Sequence, residues 1–327
     1  MDITGFISTH RKSLLVGFLV LLLAFIVTFP LYSGTYDVRV LTTMLMYVVL
    51  SVSWAMFSGT TGYMSLAPAV FFGIGIYSMG LLQEALPFPV IIVIGGLLSF
   101  AFALLIGLVT LRLKGIYFAI FTFGLVVFMS EMVYYVEAKF GQTRGRFVIA
   151  LDAEILLYTM LGLAVVTLIA VYFIRRSRWG LALQSIGGNE EAAAHMGINL
   201  TMVKVVFFAI SAIFMGAAGV ITAPALMWID NRIAFNVIYS FMPILMAVFG
   251  GMGEFYGPVI GAAIFGYLDK TLRAQLQVYF MLGFGTILVL VILFLPNGLV
   301  GLIQKLQKVG PISKLLNRGK EEQHANT

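Results

Sequence analysis

Residues 90 to 111 read VIIVIGGLLSFAFALLIGLVTL and contain no charged side chain. An α-helix rises about 1.5 Å per residue, so a helix of this length reaches across the roughly 30 Å hydrocarbon core of a bilayer. Because that core holds no water, backbone polar groups must pair within the segment, which favours a helix. The stretch therefore predicts a membrane-spanning helix, and it sets the fold class of the chain.

The rest of the chain has the same apolar character. Of the 327 residues, 61% are hydrophobic and 10% are charged, and the mean hydropathy is +1.03. Such values lie outside those of ordinary globular proteins. We predict an all-α polytopic integral membrane protein with about ten transmembrane helices, at 14–31, 38–57, 63–82, 90–111, 116–136, 154–174, 203–224, 236–250, 254–269 and 277–295.

The first of these spans resembles a signal peptide, because a basic start precedes an apolar run. The apolar run is long and no small-residue cleavage site follows it, so we interpret 14–31 as a membrane helix.

The distribution of Lys and Arg predicts the orientation of the chain. With ten spans both termini lie on one side, and most of the 20 basic residues fall on that side. The positive-inside rule then makes both termini cytoplasmic. We divide the chain into a transmembrane domain (1–304), with a cytoplasmic loop at 175–203, and a basic cytoplasmic tail (305–327). The basic clusters alternate with apolar spans, so the net charge of +6 does not predict nucleic-acid binding.

Two spans combine several glycines with a proline, and we expect one or two broken or re-entrant segments there. They are SGTTGYMSLAPAVFFGIGIYSMG (58–80) and GGMGEFYGPVIGAAIFGYL (250–268). The alternative is that the glycines only let neighbouring helices approach closely. Hydroxyl groups cluster with glycines in the first span, so we predict a substrate pathway there, formed by Ser58, Gly59, Thr60, Thr61, Gly62, Tyr63 and Ser65.

Glu131, in the stretch FMSEMVYY, is a further candidate for the substrate pathway. Acidic residues within membrane spans are functional candidates, and this one could meet the ammonium group of a substrate. The alternative is a position at the membrane surface beside Tyr134 and Tyr135, in an ordinary aromatic belt.

A long polar interruption, RSRWGLALQSIGGNEEAAAHMGINL, occupies residues 176–200. Its sequence predicts a short helix over 190–196, with an Asn as N-cap, two acids at the positive end of the helix dipole and a Gly at the other end. Small alanine side chains would let another protein approach this helix closely, although an isolated helix on the membrane surface is the alternative. The candidate contact residues are Asn189, Glu190, Glu191, Ala192, Ala193 and Gly197.

The spacing of Glu191, Ala192, Ala193 and Gly197 matches EAA-x-x-x-G, the motif by which permeases of ABC importers contact their ATPases. The chain resembles the permease family of branched-chain amino acid importers, in the longer of its two subunit types. Five stretches carry the resemblance in the order and spacing of the family, at 59–77, 111–124, 178–200, 250–262 and 294–302.

This resemblance implies a passive, alternating-access pathway in the plasma (inner) membrane of a prokaryote. The expected partners are ABC ATPase subunits, a second, paralogous permease subunit, an extracytoplasmic substrate-binding protein and the lipid bilayer. The chain lacks a G-x-x-x-x-G-K-[ST] motif, so partner subunits must bind ATP, and we expect no cofactor in this chain. No catalytic motif occurs, so we do not expect an enzyme.

Departures from the family pattern leave the substrate open. Pro68 stands where the family usually offers Gln or His, and Glu254 stands where Ser or Thr is common. The expected substrates are branched-chain or related apolar amino acids, with urea or short amides as the alternative. An ion-coupled secondary transporter is a further alternative, but it needs ion ligands at mid-membrane, for which only Glu131 is a candidate.

Overall fold

The computed structural model describes residues 26–140, 144–275, 285–286 and 298–301. Helices dominate this part of the chain: α1 (Thr35–Trp54), α2 (Pro68–Leu82), α3 (Phe88–Thr110), α4 (Ile116–Phe140), α5 (Ala153–Arg176), α6 (Arg178–Gly188), α7 (Glu190–His195), α8 (Leu200–Leu226), α9 (Asn231–Ala234), α10 (Ile238–Gly250) and α11 (Gly257–Gln275). A 3₁₀ turn covers Phe29–Leu31, and a π-helical turn, Ala55–Gly59, extends α1. Two short strands, β1 (Arg146–Phe147) and β2 (Trp228–Ile229), pair antiparallel.

Six helical segments in the described part are long and apolar enough to cross a membrane: Thr35–Gly59, Phe88–Thr110, Ile116–Phe140, Ala153–Arg176, Leu200–Leu226 and Asn231–Gly250. Two shorter apolar helices, Pro68–Leu82 and Gly257–Asp269, accompany them. The predicted all-α polytopic membrane fold is therefore confirmed, whereas the count of about ten helices is not. The predicted spans 14–31 and 277–295 fall mostly outside the described residues, and the predicted tail falls wholly outside them.

The core of the molecule forms around α8, which packs closely against α2 and α3. Glycines make this approach possible, since a Cβ atom at Gly75 would overlap the carbonyl of Gly216 and one at Gly219 would overlap the carbonyl of Phe72. Aromatic rings fill the space beside the glycines, where Phe208 lies 5.2 Å from Phe57 between ring centroids. On the other side of the core, α1 packs against α5, α10 and α11.

The two glycine-rich spans have different structures. The helix that begins as α1 ends at Thr61, residues 62–67 are not helical, and α2 begins with Pro68 in its first turn. The predicted break is therefore present, and we call residues 62–67 the break segment. In the second span α10 ends at Gly250, and a short turn leads into α11 at Gly257.

Candidate functional site

The short helix predicted in the polar interruption is α7, and its ends have the expected chemistry. The Asn189 side chain accepts a hydrogen bond from the N–H of Ala192 at 3.0 Å, as an N-cap does. Gly197 has a φ of +83°, a left-handed conformation that favours glycine. Local sequence signals therefore fix both ends of α7.

One face of α7 is exposed and the other is packed. Glu191, Ala192 and Ala194 are exposed, and Met196, just after the helix, is 66% exposed. Ala193 is fully buried against the body of the protein. The exposed face thus offers an acid, small side chains and an apolar side chain to another surface.

Glu190 points in the opposite direction from Glu191, into the protein. Its carboxylate accepts hydrogen bonds from the Lys204 ammonium at 2.6 Å and from the Tyr63 hydroxyl at 2.7 Å. Lys204 also donates to the Tyr63 hydroxyl at 3.1 Å. The side chains of Lys204 and Glu190 are 5% and 20% exposed. We call these three residues the Glu190–Lys204–Tyr63 cluster.

The surroundings fix the charge states within this cluster. Burial alone would raise the pKa of Glu190, but hydrogen bonds from Lys204 and Tyr63 outweigh burial, and the pKa of Glu190 lies below its usual value. At neutral pH Glu190 is therefore ionised.

Side chains from neighbouring helices form hydrogen bonds with the backbone of the break segment. The Trp54 indole N–H donates to the carbonyl of Ser65 at 2.8 Å, and the hydroxyl of Thr122 on α4 accepts from the N–H of Leu66 at 2.9 Å. Ser240 on α10 donates its hydroxyl to the carbonyl of Leu66 at 2.8 Å. The same hydroxyl accepts from the N–H of Ala69 at 3.0 Å. Helices α1, α4 and α10 therefore hold the break segment in place.

Most of the predicted pathway hydroxyls have partners close in sequence. Thr60 donates to the carbonyl of Met56 at 2.6 Å, and Thr61 donates to the carbonyl of Phe57 at 2.8 Å. The Ser65 hydroxyl accepts from the N–H of Ala67 at 3.3 Å. These hydroxyls stabilise the break, and their predicted role in the substrate pathway stays a prediction.

The predicted pathway residues do lie together, at the end of the protein that carries α7. Ser58 and Ser65 line a gap between α1, α2 and α8 that is too narrow to admit a water molecule. A Cβ atom at Gly187, at the end of α6, would overlap the carbonyl of Thr60. The break segment begins at Gly62, whose φ is +75°. The predicted pathway and the predicted contact helix thus share one end of the molecule.

A cavity of about 650 Å³ occupies the opposite end, and sequence reasoning missed it. The 27 residues of α8 separate the two ends by about 40 Å. Side chains from the start of α1, the end of α8 and the facing helices form its walls, among them Arg39, Thr42, Met46, Ile221, Asn236 and Asp269. In the sequence, the polar residues in the first half of α1 were the available indication of this cavity.

The two acids of α4 have different environments. Glu131 is exposed and is not among the described residues that line the cavity or the gap, so its predicted role stays untested. Glu137 is 8% exposed and accepts a hydrogen bond from the N–H of Gly145 at 3.2 Å, which anchors the loop that follows α4. In the part of the chain that the structure describes, no group of three His, Asp or Glu side chains could hold a metal ion.

The chain is similar in sequence to known permease proteins. The chain is 28% identical to the "High-affinity branched-chain amino acid transport system permease protein LivM" of Escherichia coli K12, over 90% of this chain and 76% of that protein. It is 30% identical to the "Xylose transport system permease protein XylH" of Haemophilus influenzae, but over only 35% of this chain and 31% of that protein. It is 31% identical to the "Ribose import permease protein RbsC" of the same organism, over 34% of this chain and 36% of that protein. No solved structure matches the chain significantly.

A family model decides the assignment. Residues 37–295 match the model described as "Branched-chain amino acid transport system / permease component". Permeases of this kind are transport proteins and not enzymes, and their membership of ABC transporters excludes the ion-coupled alternative. The chain belongs to the branched-chain amino acid transport system permease family.

Proposed function

We propose that the chain is one of two permease subunits of an importer that carries branched-chain or related apolar amino acids across the plasma (inner) membrane of a prokaryote. The observation that carries this proposal is the extent of the match, which covers 90% of the chain for LivM and about a third for the sugar permeases. The second, paralogous permease subunit completes the pathway, and an extracytoplasmic binding protein delivers the substrate.

The exposed face of α7 is the proposed contact with the ATPase. Glu191 and Ala192 are accessible there, and the buried Ala193 fixes the helix to the permease. ATP binds to the ATPase subunits, because this sequence has no phosphate-binding motif, and the chain itself needs no cofactor. In this orientation 175–203 and both termini are cytoplasmic. The transmembrane domain is 1–304, and 305–327 forms a basic tail.

The cavity and the narrow gap fit the two ends of one pathway. The cavity at the extracytoplasmic end is lined by Arg39, whose positive charge suits the carboxylate of an amino acid. Met46 and Ile221 in its walls suit an apolar side chain. At the cytoplasmic end Ser58 and Ser65 line the closed gap. An open outer end with a closed inner end is the arrangement of an outward-facing state.

The substrate is tested with the assembled transporter. The chain is co-purified with its partner permease, ATPase and binding protein, and ATP hydrolysis and uptake are measured with leucine, isoleucine, valine, xylose, ribose and urea. We expect the three amino acids to stimulate hydrolysis and to enter proteoliposomes. Stimulation by a sugar or by urea, with none by the amino acids, would show that the proposed substrate class is wrong.

The contact with the ATPase is tested by reversing one exposed charge. Glu191→Lys places a cation at the N-terminal end of α7, where the helix dipole disfavours it, on the face that meets the ATPase. We expect the ATPase to be lost from the purified complex while membrane insertion continues. Glu84→Lys is the matched control, because Glu84 is also exposed but lies beyond the end of α2, away from α7. Equal ATPase recovery with both variants would place the contact elsewhere.

A further inference from the structure

Lys204 is a buried charge on the second turn of α8, away from the exposed face of α7. Its side chain is 5% exposed, and a buried ammonium is costly unless it is paired and hydrogen-bonded. Besides Glu190 and Tyr63, the ammonium lies 3.4 Å from the carbonyl of Leu111, which follows α3. The ammonium also lies 4.5 Å from the centre of the Tyr63 ring, a cation–π contact. Lys204 thus gathers groups from several separate elements around one charge.

Glu190 and Tyr63, the two side chains that bind the Lys204 ammonium, belong to two different regions of the protein. In a transporter that an ATPase drives, these two regions must move together. Glu190 begins α7, whose other face carries the proposed ATPase contact. Tyr63 belongs to the break segment, and the next residues of that segment are hydrogen-bonded to α4 and α10 through Leu66. A displacement of α7 therefore acts on the break segment through charged hydrogen bonds, which are stronger than neutral ones.

A second contact runs parallel to this one. The absence of a side chain at Gly187 lets the end of α6 pack directly on the carbonyl of Thr60, at the end of the helix that begins as α1. The region around α7 thus touches the break on both sides of Gly62. These paired contacts leave little room for α7 to move while the break segment stays still.

We propose that Glu190, Lys204 and Tyr63 are positioning residues that transmit the movement of α7 to the break segment and so open the gap lined by Ser58 and Ser65. This link rests on the proposed function, because it needs an ATPase that acts on α7. The link also gives two adjacent acids different roles. Glu191 contacts the ATPase, and Glu190 transmits the movement of α7 to the break segment.

The test measures how much transport each ATP yields. The whole transporter, with its partner permease, ATPase and binding protein, is reconstituted in proteoliposomes, and leucine uptake and ATP hydrolysis are measured in the same sample. Tyr63→Phe removes the hydroxyl shared by Glu190 and Lys204 but leaves their ion pair intact, so the fold is preserved. Tyr117→Phe is the matched control, because Tyr117 is 70% exposed on the first turn of α4 and outside the cluster.

We expect Tyr63→Phe to lower uptake per ATP hydrolysed by about 5- to 150-fold, the usual range of coupling between two sites, with the ATPase still bound. Tyr117→Phe should keep the wild-type ratio. Glu190→Gln should lower the ratio too, and adding Tyr63→Phe to it should have little further effect, because both changes break the same link. Glu190→Gln leaves Lys204 buried without a countercharge, and this variant can fail to fold for that reason. In that case the result for Tyr63→Phe alone decides whether the link exists.

The experiment distinguishes a failure of the proposed link from a failure of the proposed function. A wild-type complex that transports leucine, with Tyr63→Phe at the wild-type ratio, would overturn the link and leave the proposed function intact. Equal losses of uptake and hydrolysis in Tyr63→Phe would do the same, because the ratio would be unchanged. A wild-type complex that fails to bind the ATPase would overturn the proposed function and the link together.

Discussion

The break between α1 and α2 and the turn between α10 and α11 resemble each other in sequence, since each combines glycines with a proline. In the structure different interactions stabilise them. The break is hydrogen-bonded to an indole group of α1 and to hydroxyl groups of two other helices, those of Thr122 and Ser240. Beside the turn, glycines bring the main chains of α10 and α11 together, so that a Cβ at Gly261 in α11 would overlap the carbonyl of Met246 in α10. Directed hydrogen bonds can be exchanged during movement, whereas main-chain contact keeps two helices fixed to each other.

The largest effect that this comparison predicts is where α10 and α11 pack together beside the turn. Gly261→Ala would force main-chain atoms of α10 and α11 apart, because no side-chain rotation can relieve the overlap. We expect a loss of roughly 3 kcal/mol or more in the free energy of unfolding, at the upper end for overpacking. Thermal unfolding of the purified protein, followed by size-exclusion chromatography, measures the loss.

Gly253→Ala provides the control within the same turn. A Cβ at Gly253 meets nothing within 4 Å, so this variant should unfold at the wild-type temperature. If both alanine variants unfolded at the same temperature, close main-chain contact would not be what stabilises the turn.

A smaller effect is predicted at the break. Thr122→Val keeps the shape of the side chain but removes the acceptor for the N–H of Leu66, and an unpaired buried group costs about 1–3 kcal/mol. Thr167→Val is the matched control, because both threonines are 0% exposed and the Thr167 hydroxyl donates to the carbonyl of Leu163 in its own helix. Thermal unfolding should separate the two variants, and identical unfolding temperatures would contradict hydrogen bonding as the stabilising interaction.

The same comparison shows how far sequence reasoning reaches in this protein. The membrane helices and the ends of α7 follow from nearby residues: apolar runs, the Asn189 cap and the left-handed Gly197. The break was also predictable, since glycines, hydroxyls and Pro68 interrupt an apolar span. What the break touches was not predictable, because its partners are distant in sequence.

The Glu190–Lys204–Tyr63 cluster illustrates this limit. Tyr63 and Glu190 are 127 positions apart, and only the packing of α8 beside the break segment brings them together. Sequence reasoning grouped Glu190 with Glu191, because two adjacent acids at a helix N-terminus have the same local role. The structure separates them, since Glu190 packs inward and Glu191 is exposed. The cavity was missed for the same reason, as its walls come from five helices.

The smallest predicted effect concerns the gap itself. Ser65 is 3% exposed, and its hydroxyl accepts a long hydrogen bond of 3.3 Å from the N–H of Ala67. Ser65→Ala removes this weak bond and also removes a hydroxyl from the gap through which we propose that substrate leaves. A typical net hydrogen bond contributes about 0.5–1.5 kcal/mol, so leucine uptake at low substrate should fall by about 2- to 10-fold, with little change in unfolding temperature. Ser78→Ala is the control, because Ser78 is 4% exposed and its hydroxyl donates to the carbonyl of Ile74 within α2, away from the gap. Initial uptake rates of the two variants in proteoliposomes make the measurement. If Ser65→Ala and Ser78→Ala transported leucine at the same rate, Ser65 would serve only to stabilise the break, and the inner end of the pathway would lie elsewhere.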